Sequence, residues 1–321
     1  MKKFGFILLA LFMTVVGYSQ AYPISEEYAS IMDVNPSMSR FSISRSDVSR
    51  TVAPKHMTEL PELNVVKTQL RSSKDGKLII SWIIKPDDVK PGCPCVLLIH
   101  GGGFVFKAHQ RDFYKARRLA RQLGAIVIMP EYRLAYNTEY GTTLQDCMDA
   151  YTATLAAAPV LQFDPNKIIL YGDNAGAFMC TKIALAAEFK PICLALVEPV
   201  VDCTMRTASM KKFTNTPVWN AEQNKKMWDY YLQGNTETSI LDLAIPSNFP
   251  ATYIETSEYD CLKDEGEILG KKIEAAGVKV VVNEVKGAPH GIDLVREAET
   301  TRRARASRVS FIRDVLGVVV E

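Results

Sequence analysis

The chain lacks the patterns on which several classes of function depend. Its four histidines, His56, His100, His109 and His290, fall into no metal-binding spacing. Basic charge does not dominate: 38 Lys and Arg stand against 36 Asp and Glu, a formal charge of +2. No cationic surplus therefore drives nucleic-acid binding, and no run of acids offsets the balance locally. There is no internal repeat and no low-complexity tract. With 47% apolar and 23% charged residues, the composition is that of a globular protein and excludes disordered and fibrous classes.

Cysteine is present but unpatterned. Cys93, Cys95, Cys147, Cys180, Cys193, Cys203 and Cys261 make an odd set, so full pairing leaves one over. Cys93-Pro94-Cys95 has the spacing of neither a zinc knuckle nor a redox pair. Buried free thiols explain the set better than a disulfide framework, with room for one bridge. At the N-terminus, Met1-Lys2-Lys3 precedes the short apolar run Phe4–Met13, and Gly17 and Ser19 place small side chains two apart. These flanks predict a signal peptide over residues 1–19, in preference to an N-terminal core helix, and a secreted or periplasmic protein. The run is short for a membrane span, so no transmembrane anchor is expected.

Residues 20–64 are polar, Ser-rich and broken by prolines, an irregular arm with one short helix at most. From residue 65 onward the pattern becomes regular. Lys77–Ile84, Val96–Ile99, Ala125–Met129, Lys167–Tyr171, Ile192–Val197, Ala251–Glu255 and Val278–Val285 read as strands. Helical segments separate them at 110–122, 142–157, 175–188 and 262–276, and a long Arg-bearing helix closes the chain. Its arginines, from Arg296 to Arg313, are expected to form a solvated face. This alternation predicts an α/β fold with a mostly parallel, doubly wound sheet and helices on both faces, over residues 65–321. Residues 203–248 exceed a simple crossover and carry Trp219, Trp228 and Tyr231. They are expected to form a cap touching ligand, although the same aromatics would also serve to pack the insertion onto the sheet.

Chemistry-bearing residues fall at strand ends. His100-Gly101-Gly102-Gly103 follows the apolar strand 96–99, where successive glycines let backbone N–H groups approach a developing oxyanion. Gly172-Asp173-Asn174-Ala175-Gly176 lies between a strand and an Ala-rich helix, the placement of a nucleophile elbow, G-x-S-x-G. Its central residue is Asn. Asp260 stands just past one later strand and His290 just past the next, in the order nucleophile, acid, base. His100 precedes the elbow and is read as structural. Asp264 is a nearby competitor for the acid.

Together with Tyr132-Arg133-Leu134-Ala135, Leu144-Gln145-Asp146, Asp164-Pro165 and Glu198-Pro199-Val200-Val201-Asp202, these motifs resemble the hormone-sensitive-lipase-like branch of the α/β hydrolases. That branch contains acetyl esterases and carboxylesterases. The resemblance spans roughly residues 75–315. It implies an α/β-hydrolase fold with a cap from the N-terminal arm and the insertion, and cleavage of small carboxylic esters without cofactor. The implied set is position 174 as nucleophile, Asp260 as acid, His290 as base, and Gly101, Gly102 and Ala175 as oxyanion-hole donors. Two departures stand out. Tyr136-Asn137 replaces the family's Pro-Glu, and Asn174 replaces the serine.

A carboxamide is no substitute for that serine, because its nitrogen lone pair is delocalised and its oxygen is a poor acyl acceptor. No serine lies between Leu161 and Ala208, and Cys180 falls too far into the helix to stand in. The sequence therefore predicts an esterase-like protein that is catalytically impaired, or a pseudo-hydrolase that binds an ester-like or apolar small molecule or a partner. The alternative is an active ester hydrolase with another nucleophile or a deamidated Asn174. Oligomeric state is not legible.

Overall fold

A computed structural model describes residues 22–49 and 62–318. The expected signal peptide lies outside the described residues. Eight strands, β1 (Leu63–Arg71), β2 (Leu78–Pro86), β3 (Cys93–Ile99), β4 (Ile126–Pro130), β5 (Phe163–Asp173), β6 (Cys193–Val197), β7 (Ala251–Tyr259) and β8 (Val280–Pro289), form one sheet. Their order is β1-β2-β4-β3-β5-β6-β7-β8. Strands β1 and β2 run antiparallel; every pair from β4 to β8 is parallel. The expected doubly wound α/β architecture is present. β1 begins two residues inside the stretch assigned to the arm, because its alternating, half-exposed pattern gives a weaker apolar signal than its neighbours.

Helices cover both faces: α1 (Arg40–Ser49) in the arm, then α2 (Gln110–Leu123), α3 (Thr142–Leu161), α4 (Ala175–Ala186), α5 (Ala208–Lys212), α6 (Ala221–Leu232), α7 (Lys263–Ala275) and α8 (Glu299–Val315). Strands β4 and β6 are buried along their whole length, which requires cover on each side. On one side, Phe113, Ala116, Leu119 and Ala120 of α2 pack with Phe311 and Ile312 of α8. On the other, Ala150 of α3, Phe178 and Ile183 of α4, and Leu269 and Ile273 of α7 form a larger core. Each such large side chain contributes about 1.5–3 kcal/mol by leaving water. Helix α2 stops at Gly124, whose φ of 57° suits a left-handed cap that an L side chain resists.

All seven cysteines are free, six of them buried, so the bridge the sequence left room for does not form. No helix among the described residues is long and apolar enough to cross a membrane. The C-terminal arginines correct the expectation of a uniformly solvated face. Arg296 precedes α8, and Arg302 and Arg303 are exposed, but Arg308 is only 1% exposed. Its guanidinium grips Glu255 in a bidentate pair and donates to Tyr171 Oη and Asp293 Oδ2, both at 2.9 Å. Arg133 likewise holds the buried Asp146 through Nε at 2.8 Å and Nη2 at 2.6 Å, a structural tie.

Arg308→Met would leave Glu255 charged and unpaired within the sheet. A loss of about 3–5 kcal/mol is expected in urea unfolding. Combining it with Glu255→Gln should recover much of that loss, whereas simple additivity would contradict the pairing.

Candidate active site

Strand ends assemble the site. At the carboxyl edge of the sheet, β3 delivers the glycine loop, β5 the elbow, β6 Glu198, β7 Asp260 and β8 His290. The chain reverses order around β3, with β4 on one flank and β5 on the other, the place where open α/β sheets form ligand crevices.

Asn174 bridges β5 and α4 with φ 48° and ψ −114°. Such backbone strain costs on the order of 1–3 kcal/mol and persists only where the surroundings enforce it. Here they do. A Cβ on Gly172 would sit 2.5 Å from the Gly176 backbone, and one on Gly176 would overlap the Ile99 carbonyl oxygen. The Asn174 N–H donates to Val197 O at 2.9 Å, tying the turn to β6.

The Asn174 side chain, 6% exposed, faces the glycine loop and the imidazole. Its Oδ1 accepts the Gly103 N–H at 3.1 Å, and its Nδ2 lies 3.5 Å from His290 Nε2. On the other side of the ring, His290 Nδ1 is 2.7 Å from Asp260 Oδ2. Asp260 is fully buried, and its Oδ1 accepts the Leu262 N–H at 3.0 Å. Acid, imidazole and position 174 thus form one continuous line. Ala175 opens α4, so its N–H is among the donors without an intrahelical partner.

The family model for the alpha/beta hydrolase fold matches residues 96–294. The chain belongs to the alpha/beta hydrolase fold family. Among curated relatives, an ethyl acetate hydrolase of Pseudomonas putida is 26% identical over 233 residues, covering 68% of this chain and 73% of the relative. An arylesterase of Saccharolobus solfataricus is 26% identical over 235 residues, covering 68% and 74%. Among solved structures, a bacterial heroin esterase superposes with a TM-score of 0.82 at 26% identity, covering 92% of this chain and 98% of that one.

Within this hydrolase-fold site, several sequence expectations need correction. Gly103, rather than Gly101, presents the N–H that reaches position 174. A Cβ on Gly101 would meet Asp173 O at 3.0 Å and Asn174 Cβ at 3.4 Å, and Gly102 adopts φ 109° at the bend. Trp219 does stand at the site, its ring 6.1 Å from that of His290. Trp228 and Tyr231 do not line the cavity: they pack with Phe104 and Phe178 in an aromatic core, with ring centroids 4.4–5.7 Å apart. Asp264 is occupied elsewhere, accepting the Ser209 N–H at 2.7 Å. Cys180 is fully buried in α4, and burial pushes its thiol well above the usual range, so it supplies no thiolate. His100 is buried and stacks on Tyr132, with centroids 4.2 Å apart.

The sequence motifs alone give Glu198 no role of its own. Its position at the end of β6, amid the other strand-end residues, was the available signal. The carboxylate is buried, accepts the Gly291 N–H at 2.8 Å and the Ser257 hydroxyl at 2.6 Å, and lies 3.7 Å from His290 Nδ1. Burial is the largest influence on it and raises its pKa to about 7, opposed by the His290 charge. For His290, burial opposes the charged form, but Asp260 and then Glu198 outweigh it and lift the pKa to about 9. A neutral His290 with its proton on Nδ1 accepts from Asn174 through Nε2; the imidazolium presents Nε2–H there instead.

The site opens into a cavity of about 890 Å³. Ile31 and Val34 of the arm, Gly101, Gly102, Asn174, His290 and Trp219 all line it. Arm and insertion are joined beside it, where Val218 N–H donates to Val34 O at 2.6 Å and Gln223 Nε2 to Asn35 Oδ1 at 2.6 Å.

Because the folded pKa of His290 exceeds its ordinary 6.5, its contribution to stability is full below that pH and is lost as pH rises through about 9. Glu198, raised from 4.5 to about 7, loses its contribution over that lower window in the same direction. An NMR titration, assigned with His290→Ala, should find His290 still protonated at neutral pH. Glu198→Gln should lower its pKa by removing one of two neighbouring anions. A His290 signal titrating near 6.5 in both proteins would contradict this electrostatic account.

Proposed function

We propose that this chain is an exported, esterase-type member of the family that binds a small ester-like or apolar molecule and does not cleave it. The observation carrying the reading is the Asn174 carboxamide, which sits where the nucleophile belongs and itself takes the Gly103 N–H. In a working esterase a hydroxyl deprotonated by His290 would attack the ester carbonyl. Asp260 would hold the imidazole tautomer, and the Gly102, Gly103 and Ala175 N–H groups would receive the oxyanion. The carboxamide can do neither job of the hydroxyl. Loss of the nucleophile in a serine hydrolase removes about 10⁶ in kcat.

Carboxylic esters are the ligand class suggested by the names of the relatives, an ethyl acetate hydrolase and an arylesterase. Residues 20–64 and 203–248 are assigned as the cap over the cavity, supported by the hydrogen bonds that join the arm to the insertion. Export is assigned from the basic and apolar N-terminal flanks alone.

A second reading has one geometric support. Water could add to the Asn174 carboxamide carbon while Gly103 N–H holds its oxygen, and ammonia would leave on protonation by His290, producing aspartate. An unshifted Asn174 peptide in aged protein excludes this route.

Hydrolysis of p-nitrophenyl acetate by the mature protein should stay at the level of a His290→Ala control. Assayed near pH 9, where much of His290 is neutral, Asn174→Ser should raise it by several orders of magnitude, in a manner abolished by adding His290→Ala. Turnover by the natural protein that depends on His290 would overturn the proposal.

A further inference from the structure

The cavity wall is unusually rich in arginine for a site expected to take an ester-like or apolar molecule. Six arginines line it: Arg111, Arg117, Arg118, Arg121, Arg296 and Arg305. The chain as a whole is almost charge-balanced, so this is a local concentration. Most of these cations are accounted for by the protein itself. Arg117 and Arg121 share Glu62. Arg305 is held by Asp293 at 2.9 Å. Arg296 lies over the Tyr114 ring, 5.2 Å from its centroid.

Arg111 and Arg118 remain. Arg118 makes no hydrogen bond or ion pair among the described residues, and its Nε is buried without a partner. Asp293, the carboxylate whose charge acts on it, is already paired with Lys115, Arg305 and Arg308. Arg111, about two turns earlier on α2, is exposed and lines the cavity. Its charged neighbours are Asp112 and His290, and Asp112 Oδ2 is taken by the His109 N–H at 2.7 Å. A buried donor left unmade costs about 1–3 kcal/mol, more for a charged group, and Arg118, which lines the cavity, has no ion pair of its own to offset that cost, so an anion in the cavity would supply one.

We propose that the cavity receives a small organic anion, with its ester-like portion beside Asn174 and Trp219 and its carboxylate held by Arg111 and Arg118. This deepens the ligand-binding reading above and rests on it. Guanidinium groups suit this role because their planar donors match the two oxygens of a carboxylate. The imidazolium form of His290 adds a further positive charge on the same wall. A cavity of about 890 Å³ accommodates a molecule with one aromatic ring and two polar ends. The cations also explain how a chain of near-zero net charge would concentrate such an anion at this one mouth.

The test is calorimetric titration of the mature protein with 4-acetoxybenzoate and with its neutral methyl ester. The anion should bind at least about tenfold more tightly, with the gap narrowing as salt is raised. Arg111→Ala and Arg118→Ala should each remove most of that gap while leaving the methyl ester's affinity unchanged. Arg118→Lys should restore part of it, and Arg303→Ala, on the far exposed face of α8, should restore or remove nothing. Thermal melts of each variant separate a lost contact from a lost fold. Equal binding of the two probes overturns the anion inference and leaves the ligand-binding reading standing. Binding of neither overturns both.

Discussion

The turn from β5 into α4 governs this structure. At Gly172 and Gly176 the helix backbone lies so close to β5 and to the end of β3 that no side chain fits. The residue between them is therefore driven to φ 48° and its side chain thrust into the crevice. Asn tolerates positive φ better than most residues, which lets the turn survive without serine. The same constraint delivers the carboxamide to the Gly103 N–H and to His290. The turn's geometry is kept with a carboxamide where the fold's nucleophile position lies.

A charge network beneath the elbow fixes what surrounds it. Lys115 of α2 pairs with Asp173 at the end of β5 and reaches Asp293 at 3.3 Å. Asp293 follows His290 by three residues and also binds Arg305 and Arg308, while Arg308 continues to Glu255 in β7. The elbow, the His290 loop, α2 and α8 are thereby locked together. Arg308, Lys115, Arg305 and, more weakly, Arg118 hold the Asp293 carboxyl well below the usual range, although burial alone would raise it. The network ties the His290 loop to α2 and α8, and Arg118 beside it is a cation left without an ion pair of its own.

Much of this was legible in the sequence because each signal was local. Apolar runs bounded by Gly and Pro marked β3, β4 and β6, and the spacing of Gly172, Gly176, Asp260 and His290 marked the strand-end site. What escaped depended on distant partners. Arg308 looks like any surface arginine until Glu255 and Asp293 are brought to it by the sheet. Trp228 and Tyr231 look like ligand contacts until Phe104 and Phe178 close around them. Which glycine of the triplet donates depends on the bend at Gly102, and Glu198 gains meaning only once β6 lies between β5 and β7.

The central claim is an intact ester-cleaving apparatus blocked at one residue, and covalent trapping tests it most directly. Natural protein and the Asn174→Ser variant would be treated with paraoxon and measured by intact mass and peptide mapping. The account predicts no adduct on the natural protein and a single diethylphosphoryl adduct on the variant, mapped to position 174. An adduct on the natural protein that requires His290, or a folded variant that takes none, would contradict it.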